Sequence, residues 1–547
     1  MRLSHHTPRR CRVTRCSPSR VARCFSLVLV AACLAACSAQ RGGARPGSIL
    51  AGFEYPEHVC GVAWRDEYVR LHARIRAASR DAWNARQPPD APSPAPSPAP
   101  SPAPAPAPAA PHESPPLASA APPQPAVASR RRLADHYPPD DGNPAEPAAA
   151  DDSAPDVPPA VRFLTYDWYG TCGGIGDYLI GLVSIFPAAL LDRRALLVAQ
   201  PCMHAAFRSP HIDTALSPDV PMGGHPLLRA TPLDALVAGA GAGAGDGGNN
   251  KRRVEWHAPP CERLEGNLSA EVRDSSAVPC FNMVGQSFGI QDLQRHSQLS
   301  NYRMRYNHGL LINTLLLDEG PWATALRRLG FKIAYGFGCI LRFLFSPRPE
   351  VWQLVAGIEE QVWGEGVVRV AVHLRVPDQT VWHFEGAPLE TSQQQLEELL
   401  AEANSTLQCA QTVEDFWYPP PLQVKWILIT NSHPLKQVLK AKYPDKVVAT
   451  DFVPWHSDRA TEHENTNLTS AEEREAALRG LQHFRETVAE WALVASCHTF
   501  IIPASGFSRT AALYALRPLD MFIPPPDPCN PEEPTPISAL RGSWSGI

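Results

Sequence analysis

Three short segments of this sequence combine glycine, hydroxyl, imidazole and guanidinium groups at spacings that suit the binding of an anion. They are GGIGD at 173–177, HLR at 373–375 and SGFSRT at 505–510. Main-chain amides at helix starts, together with arginine side chains, are the usual ligands of phosphate groups in proteins. The chemistry that these segments suggest is therefore recognition of a phosphorylated substrate.

The first segment lies between a predicted strand, RFLTYDWY, and an apolar helix, LVSIFPAALLDRR. Gly174 and Gly176 would let the main chain approach a phosphate or a sugar closely. Asp177 is a candidate for binding acceptor or donor, or for acting as a general base. The alternative is a tight turn that only packs the helix on the strand.

The second segment lies near the carboxyl end of VVRVAVHLRV, a run of β-branched residues that is typical of a strand buried on both faces. Ligands of α/β sheets bind at the carboxyl ends of such strands. Alternation places His373 and Arg375 on one face, and arginine can grip a diphosphate with its planar fork. The alternative role of Arg375 is a salt bridge to Asp378.

The third segment follows the predicted strand HTFIIPA and opens a helix. Its hydroxyls and free amides, from Ser505, Gly506 and Ser508, would face an anion at the positive end of the helix, with Arg509 beside them. The alternative is that Ser505 or Ser508 is simply an N-cap.

The elements around these motifs predict an α/β protein. Strand, glycine turn, helix and strand follow one another near 161–200, and strands and helices alternate again from 367 to 516. Two such doubly wound, Rossmann-like lobes in tandem predict a GT-B-like fold. The polar segment 287–306 reads as helical, and 332–345 as a buried core helix.

The chain has 547 residues and a net charge of −5, without the basic footprint of a nucleic-acid binder. Its 58 prolines concentrate between 87 and 159, in a Pro/Ala/Ser-rich stretch that is too poor in apolar residues to fold. This stretch predicts a disordered stalk. A helical pattern over 64–86 precedes it and is interpreted as a stem helix.

The N-terminus joins an arginine-rich segment to an apolar run of 15 residues, 25–39. The run suits a short signal anchor or a cleaved signal peptide, and a transit peptide is a further alternative. The expected location is the lumen of the Golgi or secretory pathway, as a single-pass type II membrane protein, or secretion.

Nine cysteines follow residue 40 without a CxxC pair, so zinc-ligand spacing is absent. In a secretory lumen several would form disulfides, and because nine is odd at least one would stay free. Sequons at Asn267, Asn404 and Asn467 agree with a lumenal domain.

The predicted organisation has six parts. They are an anchor or signal peptide at 1–40, a stem at 41–86, a linker at 87–159, an N-terminal acceptor-side lobe at 160–350 with a flexible insertion at 231–250, a C-terminal nucleotide-sugar lobe at 351–528, and a tail at 529–547.

Five blocks in order resemble the fucosyltransferase-like glycosyltransferase superfamily, which includes nodulation, α-1,6-, protein O- and xyloglucan fucosyltransferases. The blocks begin CGGIGDYLIG, GCILRFLF, VAVHLRVPD, WILITNSHPLKQ and EWALVASCHTF, the last running through SGFSRTAAL. They span about two thirds of the chain. Relatives often carry arginine where this chain has Tyr178.

The resemblance implies an enzyme that transfers a sugar, fucose from GDP-fucose, to a hydroxyl of a glycan, polysaccharide or protein, with inversion. By resemblance, Arg375 would bind the β-phosphate and act with Asp177 in catalysis, and Glu490 would be structural or touch the nucleotide. The other donor-binding residues would be His373, Ser505, Gly506, Ser508, Arg509, Gly174 and Gly176.

The sequence contains no Asp-x-Asp triplet, so a metal-bridged diphosphate is not expected, and no cofactor is predicted. Two alternatives to the fucosyltransferase stay open at this stage. One is a glycosyltransferase with another nucleotide-sugar donor, and the other is a non-catalytic sugar- or protein-binding ectodomain.

Overall fold

The structure is a computed structural model. It describes residues 55–85, 162–166, 174–215, 262–263, 280–282, 301–305, 324, 326–331, 335–364, 366–377, 391–454, 471–517, 521–523 and 529–535. The predicted anchor at 1–40, the linker at 87–159 and the insertion at 231–250 lie outside these ranges. None of the helices within them combines the length and apolar character needed to cross a bilayer.

The described strands form two parallel sheets and one short antiparallel pair. In chain order they are β1 Phe163–Tyr166, β2 Ala195–Val198, β3 Phe207–Arg208, β4 Glu262–Arg263, β5 Cys280–Asn282, β6 Asn301–Arg305, β7 Ser346–Pro347, β8 Val367–Leu374, β9 Gln423–Thr430, β10 Val447–Val448, β11 Thr499–Ile501 and β12 Met521–Phe522.

The described helices surround these sheets. They are α1 Glu57–Cys60, α2 Ala63–Asn84, α3 Ile175–Leu191, α4 Pro201–Ala206, α5 Gly336–Leu344, α6 Pro349–Gln353, α7 Ala356–Val362, α8 Gln393–Trp417, α9 His433–Lys442, α10 Ala471–Ala495 and α11 Gly506–Tyr514.

The N-terminal lobe is built on a sheet with the strand order β2-β1-β6-β5-β4, all parallel. The C-terminal lobe has the order β10-β9-β8-β11-β12, also parallel throughout. This second order is the 3-2-1-4-5 arrangement of a Rossmann-type half, with β8 as its first strand. The predicted fold of two Rossmann-like lobes, GT-B-like, is confirmed.

Apolar runs fold as the buried elements of both lobes. Strands β8 and β9 pair over eight residues and are buried on both faces in their second halves, as their β-branched runs predict. Helix α3 is apolar around most of its circumference and buries nearly every side chain, which a helix does inside a core. Helix α5 is wholly buried, which confirms the predicted core helix at 332–345.

Helix α2, which the sequence predicts as a stem helix, packs on the N-terminal lobe. Its apolar face, with Trp64, Tyr68 and Ile75, is buried. The Tyr68 hydroxyl donates to the Arg194 carbonyl and accepts from the Leu196 amide, both at 2.9 Å. Because β2 is an edge strand, these bonds satisfy main-chain groups that would otherwise be open.

Segment 301–305 forms a strand, so the helix predicted over 287–306 is wrong at its end. Strand β6 pairs with β1 on one side and β5 on the other. Tyr302 and Met304 alternate with polar neighbours, a period-two signal that the polar composition obscured. Pairing on both sides overrides the local helical preference.

Two disulfides tie distant segments together, as expected for several of the nine cysteines. Cys60 bonds to Cys339 across 279 residues, and Cys409 to Cys529 across 120. The first joins the end of α1 to α5. Cys202 is also disulfide-bonded, and the buried Cys497 is free, which confirms that at least one cysteine stays unpaired.

The lobes meet on α11, which belongs to the C-terminal lobe but packs on α3 and α5 of the N-terminal lobe. Gly338 of α5 lies so close that a Cβ there would be 2.2 Å from the Leu513 carbonyl oxygen. The buried Arg342 donates to the Tyr514 carbonyl at 2.8 Å, placing a cation at the helix C-terminus.

We expect Gly338→Ala to lower the free energy of unfolding by about 1–3 kcal/mol, since its methyl group would force α5 and α11 apart. Chemical denaturation monitored by tryptophan fluorescence measures the change. Gly357→Ala in α7 is the matched control, because no atom lies within 4 Å of its added Cβ. Equal stability of the two variants would contradict the close packing of α5 on α11.

Candidate functional site at the carboxyl edge of the second sheet

The candidate site lies where the strand order of the C-terminal sheet changes direction. The chain runs from β8 outward through β9 to β10, then returns to β11 on the other side of β8. Ligands of open α/β sheets bind outside the carboxyl ends of the strands at such a switch point. The HLR segment ends β8 and the SGFSRT segment follows β11, so both predicted motifs flank this point.

A hydrogen bond joins the two motifs. His373 Nδ1 lies 2.8 Å from the Ser508 hydroxyl oxygen, and the imidazole ring also meets the Phe507 ring edge to face at 5.7 Å. Both bonded residues are buried. The bond therefore fixes the start of α11 against the end of β8.

Burial, aided by the nearby charge of Arg375, lowers the pKa of His373 to about 3. The ring is therefore neutral at physiological pH, with one nitrogen able to donate and the other able to accept. Arg375 itself lies beyond the end of β8 and is exposed. The two residues that alternation placed on one face thus occupy different environments, one inside the protein and one at its surface.

The start of α11 offers main-chain donors. Its first intrahelical bond runs from the Arg509 amide to the Ser505 carbonyl at 3.1 Å, so the preceding three amides have no acceptor in the helix. Ser505 occupies the N-cap position, but its side chain makes no capping hydrogen bond. The amides of residues 506–508 therefore lie at the positive end of the helix dipole without an acceptor in the helix, whereas the Ser505 amide donates to the Pro503 carbonyl at 2.7 Å.

Ser508 and Arg509 lie deeper than the sequence suggested. Ser508 is fully buried and is hydrogen-bonded to His373, and Arg509 is also buried. Burial lowers the pKa of Arg509 to about 10, which still leaves the guanidinium charged at neutral pH. The structure thus gives Ser508 a supporting position behind the helix start.

The glycine turn of the N-terminal lobe meets this helix start directly. A Cβ at Gly176 would lie 2.3 Å from the Gly506 carbonyl carbon and 2.4 Å from the Phe507 nitrogen. Only glycine permits this approach. The beginnings of α3 and α11, one from each lobe, are therefore in main-chain contact.

Asp177 lies in the first turn of α3, beside the start of α11. Its Oδ1 would be 3.4 Å from a Cβ at Gly506, and Oδ2 3.6 Å from one at Gly174. The carboxylate is partly exposed, so it stands at the junction of the lobes within reach of solvent. Gly174 is the N-cap of α3 and half-buried.

Tyr178, where relatives often have arginine, points into the core of the N-terminal lobe. Its ring is buried and meets Tyr166 edge to face at 4.9 Å. The Tyr166 hydroxyl donates to the Tyr178 carbonyl at 3.2 Å. The side chain therefore packs the end of β1 against α3.

The carboxyl edge also holds residues that the sequence analysis missed. The Asn431 amide side chain, at the end of β9, accepts from the Val376 amide at 2.9 Å and donates to its carbonyl at 2.8 Å. On the far side, the buried Lys436 ammonium donates to Glu490 at 2.9 Å and to the Phe452 carbonyl at 3.1 Å. Glu490, which the resemblance placed at the nucleotide or in a structural role, is in an ion pair with Lys436.

A signal for Asn431 was present, since it follows a buried strand directly in the loop NSHP. Lys436 carried no such signal, because it falls in an ordinary helical pattern. In the described part of the chain, no three His, Cys, Asp or Glu side chains are grouped so that they could hold a metal ion.

No family model matches the chain, and no curated protein matches it. Among solved structures it is similar to a mutant of Arabidopsis thaliana FUT1 in complex with GDP, at 15% identity and a TM-score of 0.39. That match covers 67% of this chain and 71% of the other.

It is also similar to NodZ alpha-1,6-fucosyltransferase co-crystallized with GDP and to fucosyltransferase NodZ from Bradyrhizobium. Each has 15% identity and a TM-score of 0.31, and each match covers 64% of this chain and 91% or 92% of the other.

The buried neutral His373 makes stability depend on pH. The unfolded chain binds a proton at this histidine near pH 6.5, whereas the folded protein does not until about pH 3. We therefore expect the free energy of unfolding to fall as the pH drops from about 6.5 towards 3, by up to about 1.4 kcal/mol per pH unit from this group.

His373→Asn should remove that part of the slope, and denaturant titrations at pH 7, 6 and 5 measure it. His72 on α2 contributes similarly, since burial lowers its pKa to about 4. A His72→Gln variant should therefore reduce the slope independently. If His373→Asn leaves the pH dependence of the free energy of unfolding unchanged, this histidine has the same pKa in the folded and the unfolded protein.

Proposed function

We propose that the chain is a glycosyltransferase that transfers fucose from GDP-fucose to a hydroxyl of a glycan, polysaccharide or protein, with inversion and without a metal. The observation that carries this proposal is the meeting of three motifs at one place. The glycine turn after β1, the HLR end of β8 and the SGFSRT start of α11 converge where two parallel-sheet lobes touch.

The diphosphate of the donor would bind at the start of α11. Free main-chain amides and the Ser505 hydroxyl are suitable donors to its oxygens, and the positive end of the helix favours their charge. Arg375, exposed at the end of the neighbouring strand, adds a guanidinium that can form two parallel hydrogen bonds. His373 and Ser508 hold these two elements in register.

The reaction needs stabilisation of the charge on the leaving diphosphate and a base for the acceptor hydroxyl. The acceptor oxygen bonds to C1 of the sugar as the bond from C1 to the β-phosphate oxygen breaks, and GDP leaves with the electron pair. Arg375 and the α11 amides stabilise the charge that develops on the leaving diphosphate. Asp177, on the N-terminal lobe, takes the proton of the acceptor hydroxyl.

The proposed location is the lumen of the secretory pathway, with the apolar run at 25–39 as a signal anchor. The disulfides Cys60–Cys339 and Cys409–Cys529 support it, because such bonds persist in oxidising compartments. A fusion of residues 1–54 to a fluorescent protein, tested by protease protection in cells, distinguishes a retained anchor from a cleaved signal.

We expect Arg375→Ala to weaken GDP binding by at least tenfold, since a charge-assisted contact to the diphosphate is lost. Arg375→Lys should recover only part of the affinity, because lysine lacks the planar fork. Isothermal titration calorimetry in the presence of EDTA measures GDP affinity and tests metal independence together.

Arg193→Gln is the control for this experiment, since that arginine lies beyond the far end of α3 in an exposed pair with Glu67. It should bind GDP as the unaltered chain does. If the unaltered chain has no affinity for GDP, the proposed donor is refuted. If the chain binds several nucleotides and turns over another sugar nucleotide, that sugar nucleotide is the donor in place of GDP-fucose.

We expect Asp177→Asn to lower turnover by about 10²–10⁴, the range lost with a general base, while GDP affinity stays within about twofold. The measurement is release of GDP from labelled GDP-fucose in the presence of an acceptor panel. If Asp177→Asn keeps full turnover, another group removes the proton. If the unaltered chain binds GDP-fucose but never turns it over, the protein is a binding module and not an enzyme.

A further inference from the structure

A series of side-chain hydrogen bonds crosses the carboxyl edge of the C-terminal sheet and links the ends of β11, β8, β9 and β10, or the segments that follow them. Ser508 and His373 link the segment after β11 to β8, and Asn431 links the end of β9 to Val376 after β8. The third link runs from Lys436, in the helix that follows β9, to the segment that follows β10. The mechanism proposed above uses only the first link.

The third link is also buried. The Lys436 side chain has no exposed surface, and its ammonium donates to three acceptors: Glu490 at 2.9 Å, the Thr450 hydroxyl at 3.2 Å and the Phe452 carbonyl at 3.1 Å. Thr450 also donates to the same Glu490 oxygen. A buried charge is tolerated because its partners replace the water that it has lost.

This ion pair is not needed to fill the core. Replacing a buried ion pair by uncharged groups is often neutral for stability, so its presence calls for another reason. The three acceptors show what it does locally: Lys436 attaches the main chain of residues 450–452 to α9. That segment continues the sheet edge beyond the very short strand β10.

Within the part of the chain that the structure describes, the segment carries apolar side chains that are exposed or half-buried. Val453 is 45% exposed, one of the few large apolar side chains in the described ranges with such exposure, and Phe452 is half-buried. The carboxyl ends of β11, β8, β9 and β10 follow one another along the same edge of the sheet. A ligand whose diphosphate binds at α11 can therefore extend along this edge toward the segment after β10.

We propose that Lys436 is a positioning residue for the nucleoside of the donor, acting through residues 450–453, which form the outer wall of its pocket. The inference rests on the proposed function. In it, the planar base packs on the apolar face of Phe452 and Val453, and the Lys436–Glu490 pair keeps that wall at a fixed distance from the diphosphate site.

The decisive variant is Lys436→Met combined with Glu490→Gln, which removes both charges together. Lys436→Met alone leaves a buried carboxylate without its counter-ion and is expected to unfold more readily. The double variant should keep a melting temperature close to that of the unaltered chain while binding GDP at least tenfold more weakly. Full stability with lost affinity is the combination that a purely structural pair would not produce.

Lys440→Met is the matched control, because Lys440 lies one turn further along α9 and pairs with Asp451 of the same segment at the surface. Surface pairs contribute little, so its GDP affinity should stay within twofold. Hydrogen exchange of the 450–453 amides should accelerate in the double variant and not in Lys440→Met. Addition of GDP to the unaltered chain should slow exchange in the same segment.

Thr450→Val keeps the Lys436–Glu490 ion pair. It therefore tests the role of residues 450–453 in GDP binding if the double variant does not fold. It should speed exchange at 450–453 and weaken GDP binding about threefold. The inference is overturned if either folded variant binds GDP within twofold of the unaltered chain, or if GDP leaves exchange at 450–453 unchanged. If the unaltered chain shows no GDP affinity, the donor proposal fails first and the inference with it.

Discussion

The main-chain contact between Gly176 and the start of α11 is the constraint on which the geometry of the site depends. It brings the first turns of two helices from different lobes together, so their N-terminal amides and positive dipole ends share one region. Any side chain at Gly176 would push α3 away from α11. The junction of the lobes and the candidate donor site are thus set by the same few atoms.

Helix α2 shows a second constraint, which arises from the edge of a sheet. Strand β2 has a partner on one side only, and the Tyr68 hydroxyl satisfies the Leu196 amide while His72 contacts its carbonyl at 3.2 Å. An exposed edge of this kind invites pairing with another chain. The helix therefore has a structural reason to belong to the folded unit, although the Pro-rich stretch separates it from β1 in the sequence.

Much of the C-terminal lobe could be predicted from the sequence because its strands are continuous apolar runs and its helices have caps. Ser392 and Gln395 form a capping box at α8, and Ser432 caps α9. The positions of HLR and SGFSRT at strand ends could be predicted from the order of strands and helices in the sequence. The hydrogen bond between His373 and Ser508 could not be predicted, because it joins residues 135 positions apart and depends on which strands become neighbours.

The failures have the same origin. Strand β6 has only Tyr302 and Met304 between polar residues, so its pairing with β1 and β5, rather than its local pattern, makes it a strand. Helix α2 has the amphipathic pattern of many surface helices, and nothing local shows that Tyr68 and His72 meet β2. Lys436 reads as a solvated helix residue until Glu490, 54 positions away, is brought against it. Local pattern indicates an element but not its neighbours.

The contacts of α11 also bear on how the two lobes can move. Separating them would leave the Arg342 guanidinium without the Tyr514 carbonyl, and the Tyr514 hydroxyl without the Phe345 carbonyl, all in buried surroundings. Unpaired buried groups of this kind are costly, the charged one most of all. A rigid-body opening about α11 is therefore disfavoured. The starts of α3 and α11, where the proposed donor site lies, are held together by contacts within the protein itself, so the proposed function requires no closure of the lobes about α11.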